Sequence, residues 1–149
     1  MIMNLGVYIP HFTKNEAVID MSKMLNTAVK ASKVSDACVF YDSIGPSHLQ
    51  MEYALFNSAD LWNFTGKLVT TTVETTSKAL NVGNKFSIFF YYGFEGDKDV
   101  LGLITISNNP NVEVICRSEE DKQEFFRLTG KKPKHVVDNF NINILEAIQ

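Results

Sequence analysis

The chain has 149 residues, of which 45% are hydrophobic and 21% are charged, a composition typical of one ordinary globular domain spanning residues 1–149. Its formal net charge of −3 gives no general attraction to phosphate, which argues against general nucleic-acid binding and against a membrane-surface role. No apolar run approaches the roughly 18 residues that a membrane-spanning helix needs, so no transmembrane segment is expected.

The two cysteines and the first ten residues indicate in which cellular compartment the protein is expected. Cys38 and Cys116 each lie in an apolar segment and form no Cys-x-x-Cys pattern, so we expect two buried free thiols and no zinc site. Residues 1–10 lack the basic and small-residue features of a secretory signal. We therefore expect a cytoplasmic protein.

The first third of the chain predicts a strand, a helix and a second strand. Residues 5–9 form a short apolar run that we expect Pro10 to end, because proline cannot donate to a strand ladder. Apolar residues at steps of three and four then predict an amphipathic helix over 15–32. The continuous apolar run 37–41 is typical of a strand buried on both faces of a parallel sheet, followed by a loop over 42–46.

The middle third is less regular. Residues 51–56 fit either a strand or a helical turn, and 58–63 predict a short helix. The β-branched segment 67–71 predicts a strand, and helical spacing resumes over 73–82. The run 86–92 is the most strand-like of the chain, so we expect it to be central in the sheet.

The last third continues the alternation of helices and strands. Ser118 stands where a helix N-cap belongs, with Asp121 in the position of a capping box, and Gly130 supplies a left-handed stop. We therefore predict a helix over 118–129. The remaining predicted elements are a helix over 100–106, a strand over 112–116, a strand over 134–137 and a helix over 142–148.

This alternation predicts an α/β fold, with a doubly wound, mostly parallel sheet of about six strands and helices on both faces. In such sheets ligands bind outside the carboxyl ends of the strands. Among the residues expected there, we assign His11 and Asp42 as candidate catalytic groups. The candidate ligand-binding residues are Thr13, Tyr92, Glu95, Arg117, Ser118 and Asn139.

Three of these assignments have a structural alternative. For His11 the alternative is a solvated loop histidine, which is the commoner outcome for such a residue. Arg117 before the capped helix suits a phosphate or carboxylate, but it fits an ion pair with a nearby acid such as Glu120, with Ser118 acting only as the cap. Tyr92 belongs to an aromatic corner where a sugar or base could stack, and core packing is the alternative.

Several chemistries lack their sequence motifs. The dinucleotide fingerprint G-x-G-x-x-G does not follow the first strand, and neither a P-loop motif nor a G-x-S-x-G elbow is present. No clustered His, Cys or carboxylate spacing indicates a metal. We therefore expect no cofactor and no metal.

The last third, from Val114 through the Ser-capped helix and Gly130 to the turn 138–141, resembles the segment that closes the N-terminal, acceptor-side Rossmann-like domain of GT-B glycosyltransferases. The resemblance covers about 30 residues closely and implies half of a GT-B fold without the domain that carries the donor site. Small free-standing proteins of large bacteriophages are similar in general appearance, and that similarity implies the host cytoplasm as the location.

The resemblance implies a glycosyltransferase-like protein that binds a sugar, a nucleotide or a nucleotide sugar at its carboxyl edge, without complete transferase activity by itself. Whether the chain is an enzyme stays open. The alternative is a non-catalytic interaction or structural module, with Trp62 and Phe64 as anchors for a protein partner or a second copy of the chain.

Overall fold

A computed structural model describes residues 3–47, 49–82, 86–94 and 99–148. The strands are β1 (Met3–Phe12), β2 (Val34–Ile44), β3 (Ala54–Asn57), β4 (Gly66–Thr70), β5 (Phe86–Tyr92), β6 (Val112–Cys116) and β7 (His135–Val136). The α-helices are α1 (Glu16–Lys30), α2 (Val73–Val82), α3 (Val100–Ser107), α4 (Glu119–Thr129) and α5 (Ile142–Ala147). Two 3₁₀ helices complete the list, η1 (Ser58–Asn63) and η2 (Asp138–Phe140).

The strands form one parallel sheet in the order β3-β2-β1-β4-β5-β6-β7. The chain moves outward in one direction from β1 to β3 and in the other from β4 to β7, so the order reverses between β1 and β4. This arrangement confirms the predicted doubly wound α/β fold. The strand beyond the predicted six is β3, within the segment that the sequence left undecided.

The two faces of the sheet bury separate cores, because side chains alternate along each strand. On β1, Leu5, Val7 and Ile9 face the core that includes residues of α1 and α5. Tyr8 faces the other core, which η1, α2, α3 and α4 help to cover. Both predicted buried thiols are confirmed, since Cys38 and Cys116 are free and buried.

Helix α4 begins and ends as its sequence predicts. The Ser118 hydroxyl accepts a hydrogen bond from the Asp121 amide at 3.1 Å and donates to the Asp121 carboxylate at 2.8 Å. Gly130 ends the helix with φ of 75°, a left-handed conformation that glycine adopts without a Cβ penalty. The N-cap and the glycine stop are therefore confirmed.

Two predicted boundaries at the carboxyl edge are wrong. Pro10 lies inside β1 instead of ending it, and Asp42 belongs to β2 and not to a loop. The last pair of β1 with β4 is Tyr8 with Thr70, whereas β1 and β2 stay paired as far as Phe12 and Ile44. Beyond Tyr8, β1 has a neighbour on one side only, and a proline is tolerated at such an edge position.

This extension gives the sheet a two-stranded ribbon, formed by residues 9–12 and 41–44, that projects past the end of β4. At about 3.3 Å per residue, its four-residue length is roughly 13 Å. The ribbon forms a wall beside the point where the strand order reverses. Among the described residues, no helix is both long and apolar enough to cross a membrane.

Candidate functional site

A crevice of about 390 Å³ opens at the carboxyl edge between the ends of β1 and β4. Pro10 lines it from the ribbon, and Thr72, Val73 and Glu74 line it from the start of α2. Asp99, the N-cap of α3, completes the lining. The crevice therefore occupies the topological switch point of the sheet, the position where open α/β folds bind their ligands.

Threonine hydroxyls fix the turn from β4 into α2. Thr71 donates from its hydroxyl to the Tyr8 carbonyl at 2.9 Å, which ties the turn to β1. The Thr75 hydroxyl accepts from the amide of Thr72 at 3.0 Å, and the Thr72 hydroxyl accepts from the amide of Thr75 at 3.0 Å. These local bonds hold the backbone of Thr72 and Val73 in place at the crevice floor.

A buried tyrosine connects the ribbon to α2. The Tyr8 hydroxyl donates to the Asp42 carboxylate at 2.6 Å, and Lys78 of α2 donates to the other oxygen of Asp42 at 3.1 Å. Lys78 also pairs with Glu74 at 3.0 Å. The predicted catalytic Asp42 is thus the centre of a chain of polar contacts that ends at a crevice-lining carboxylate.

These contacts set the protonation states. Burial alone would raise the pKa of Asp42, but hydrogen bonds from Tyr8, Ser58 and Lys78 outweigh it and hold the pKa below its ordinary value. Burial, and then the bond to Asp42, raise the pKa of Tyr8 well above its ordinary range. Hydrogen bonds to Glu74 and Asp42 raise the pKa of Lys78. At neutral pH Tyr8 is therefore a neutral phenol, Asp42 a carboxylate and Lys78 an ammonium ion.

His11 lies on the ribbon and is exposed. Its Nδ1 is 2.6 Å from the Ser43 hydroxyl, the residue opposite it on β2. A Cβ added at Gly45 would lie 3.1 Å from His11 Nε2 and 3.4 Å from the Thr13 hydroxyl. The structure therefore brings His11 and Thr13 together beside Gly45.

The predicted ligand residues on β5 and β6 lie in other environments. Tyr92 is buried, its ring packs on Phe125 of α4 and its hydroxyl donates to Glu124. Arg117 lies 3.7 Å from Asp20 of α1, and the salt bridges among the described residues join it to Asp20 and not to Glu120. Ser118 acts as the cap of α4.

Asn139 has a left-handed backbone with φ of 45° and lines a small cleft of about 10 Å³ together with Arg117. That volume is too small for a sugar or a phosphate group. Glu95 lies outside the described residues. The assignment of these residues to ligand binding stays a prediction, and the arrangement around them is mainly one of packing and capping.

The sequence placed Thr72 at the carboxyl edge without assigning it as a site residue, and it placed neither Glu74 nor Asp99 there. The sequence does show a run of threonines after β4 and an acid in the first turn of α2. Neither feature is a known motif, so neither indicated a ligand site. Among the five described residues that line the crevice there is no lysine, arginine or histidine. Within the described ranges, no group of three or more His, Cys, Asp or Glu side chains could hold a metal ion.

Fold and site together define an α/β protein of Rossmann-like topology with an acidic, hydroxyl-bearing crevice at its switch point. The chain matches no protein-family model, no curated protein and no solved structure.

Proposed function

We propose that the chain binds a sugar at the switch-point crevice, in the manner of the acceptor-side half of a GT-B glycosyltransferase, which its last third resembles. The observation that carries this proposal is the crevice itself. It has about 390 Å³, within the usual range for small-molecule sites, and it lies where the fold class binds ligands.

The functional groups that line the crevice indicate which class of ligand it would bind. Glu74 and Asp99 are carboxylates and Thr72 carries a hydroxyl, so the lining offers hydrogen-bond acceptors to the hydroxyl groups of a sugar. Because the described lining residues include two carboxylates and no cation, a nucleotide diphosphate would meet like charge there. These features favour a neutral or amino sugar over a nucleotide sugar.

A part in group transfer is a further element of the proposal. His11 and Asp42 would orient or deprotonate an acceptor hydroxyl, and a separate donor-binding chain would supply the nucleotide sugar. Asp42 already accepts hydrogen bonds from Tyr8 and Lys78, so it would position the neighbouring groups. The exposed His11 is the better candidate base.

A thermal-shift and NMR screen tests sugar binding. Neutral sugars, amino sugars, sugar phosphates, nucleotides and nucleotide sugars are compared on the wild-type chain and on Glu74→Gln. Glu120→Gln is the matched control, since Glu120 is likewise an exposed acid in the first turn of a helix. We expect at least one sugar to bind, with affinity about tenfold lower in Glu74→Gln only. No binding by any sugar, or equal binding by both variants, would refute the proposal.

An interaction module remains the second candidate, and one specific observation favours it. Leu101 on α3 is 77% exposed, and Val100 on α3 and Phe126 on α4 are also exposed. Apolar side chains exposed in this way suit a protein partner or a second copy. Light scattering at several concentrations, on the wild type and Leu101→Lys, distinguishes self-association from a monomer.

A further inference from the structure

A second cavity, distant from the carboxyl edge, lies on the face of the sheet that η1 covers. It has about 330 Å³ and is lined by the amino-terminal halves of β1 and β2, by β3 and by residues of η1 and the loop after it. We call it the aromatic cleft. None of its lining residues belongs to the switch-point crevice.

The connection between β3 and β4 explains why this cleft exists. The chain leaves β3 at Asn57 and enters β4 at Gly66, and it must pass β2 and β1, three strand spacings or about 14 Å. A single six-residue 3₁₀ helix makes that crossing. So short an element cannot cover the sheet as a full α-helix would, and part of the face stays open.

Phenylalanine rings form the floor and one side of the cleft. Phe40 of β2 stacks on Phe56 of β3 with ring centroids 6.0 Å apart. Phe64 meets Phe40 edge-on at 5.5 Å. Phe56 is 40% exposed although it is part of this cluster, so an aromatic face is open to a ligand.

Gly6 lets the Phe64 ring lie directly on β1. A Cβ at Gly6 would stand 2.9 Å from Phe64 Cζ, closer than real side chains approach. The ring therefore occupies the space that any other residue at position 6 would fill, and this fixes the wall of the cleft.

The charges of the cleft are of one sign. Among the described residues that line it, the charged ones are Asp36 of β2 and Asp60 of η1, and none is a lysine, arginine or histidine. In the described part of the chain, neither aspartate takes part in a salt bridge. Both residues are exposed, and they line the same cavity as the phenylalanine rings, whose faces attract cations.

We propose that the aromatic cleft binds an organic cation with a flat apolar body, such as an arylamidinium or a benzylammonium ion. The rings would stack on the body, and Asp36 and Asp60 would accept hydrogen bonds from the charged group. An anion of the same shape would be repelled, and a neutral analogue would lose the ionic contribution. This site is separate from the proposed sugar crevice and does not depend on it.

The probe is benzamidine, with benzamide as its neutral analogue and benzoate as its anionic one. Binding is followed by two-dimensional NMR and by the fluorescence of Trp62, the single tryptophan, which lies on η1 beside the lining residues Asp60 and Asn63. We expect benzamidine to bind at least tenfold more tightly than benzamide and benzoate to leave the spectra unchanged. Comparable binding of all three, or no binding of benzamidine, would overturn the proposal.

Variants of the aromatic cleft and of the sugar crevice show where benzamidine binds. Asp36→Asn with Asp60→Asn removes both charges at exposed positions, and Phe56→Leu removes one ring; each should weaken benzamidine binding at least tenfold. Glu74→Gln, which removes an acid from the separate sugar crevice, should leave benzamidine binding unchanged. Loss of benzamidine binding in Glu74→Gln, with binding retained in the aspartate double variant, would place the cation in the crevice and overturn the proposal. Urea unfolding of each variant verifies that the fold is intact.

Discussion

The Tyr8 hydroxyl and the Asp42 carboxylate, on neighbouring strands, form a hydrogen bond of 2.6 Å directly beside the switch point of the sheet. Tyr8 is fully buried, and Asp42 is only partly exposed. Because Lys78 binds the second oxygen of Asp42, one carboxylate joins β1, β2 and α2. The stability of this junction and the shape of the crevice are therefore coupled.

Asp42→Asn should lower the free energy of unfolding at pH 7 by about 1–3 kcal/mol, since hydrogen bonds to charged groups contribute about that much. The folded state lowers the pKa of Asp42, so its contribution is complete above the ordinary carboxyl pKa, about 4, and is lost as pH falls below it. Urea unfolding from pH 7 to pH 2 measures this. The variant should lose less stability on acidification than the wild type; parallel curves would contradict the assignment.

Gly6→Ala should destabilise the protein by about 1–3 kcal/mol, as overpacking in a core does. The new methyl group would lie 2.9 Å from Phe64 Cζ and 3.2 Å from Leu68 Cδ1, so the Phe64 ring would have to shift from its contacts with Phe40 and Phe86. Chemical denaturation measures the loss. The double variant Gly6→Ala with Phe64→Leu should lose less than the sum of the single changes. If the loss in the double variant equals the sum of the two single losses, the methyl group at position 6 does not act through Phe64, and this explanation of Gly6 is wrong.

Tyr91→Phe should cost about 2–4 kcal/mol, because two buried backbone groups would lose their partner. The Tyr91 hydroxyl donates to the Val137 carbonyl and accepts from the Phe140 amide at 2.9 Å, which fastens η2 to the sheet. Burial raises the pKa of Tyr91 to about 12, so it stays a donor through neutral pH. Tyr41→Phe is the control and should change stability by less than about 0.5 kcal/mol. Equal effects of the two changes would contradict this role.

Both thiols should react slowly in the folded protein. Burial raises the pKa of Cys38 to about 11 and that of Cys116 to about 12, so little thiolate exists at pH 7.5. Alkylation by iodoacetamide, followed by mass spectrometry, should be at least about a hundredfold slower in the native chain than in urea. In the Cys38→Ser variant, Cys116 is the remaining cysteine, so its alkylation rate is measured separately. Native reaction at the unfolded rate would show that the thiol concerned is accessible.

Much of the fold was readable from local sequence signals. Helix α4 has its own cap and stop, and the apolar run of β5 matches Phe86–Tyr92 residue for residue. The strand β3 was ambiguous because a four-residue edge strand carries too little pattern to separate it from a helical turn. The predicted strand end at Pro10 was wrong because β4 pairs with β1 only as far as Tyr8, so no neighbouring strand needs a hydrogen bond from position 10 on that side. The local sequence does not show where β4 ends.

The site was harder to predict than the fold. His11, Thr13 and Asp42 were correctly expected near the carboxyl edge, but the partners of Asp42 come from residues 8 and 78, which no local pattern connects. The crevice depends on how far the ribbon projects past β4 and on where α2 begins. The aromatic cleft was not foreseen either, because it arises from a crossover that is too short to cover the sheet.

Residue-resolved NMR mapping of sugar binding tests the central claim most directly. The ligand that gives the largest thermal shift is titrated into the labelled chain, and its amide perturbations are placed on the structure. We expect the largest perturbations to fall on Thr72, Val73, Glu74 and Asp99, around the switch-point crevice. Perturbations centred on the exposed faces of α3 and α4, or saturating binding that leaves the crevice amides unchanged, would contradict it.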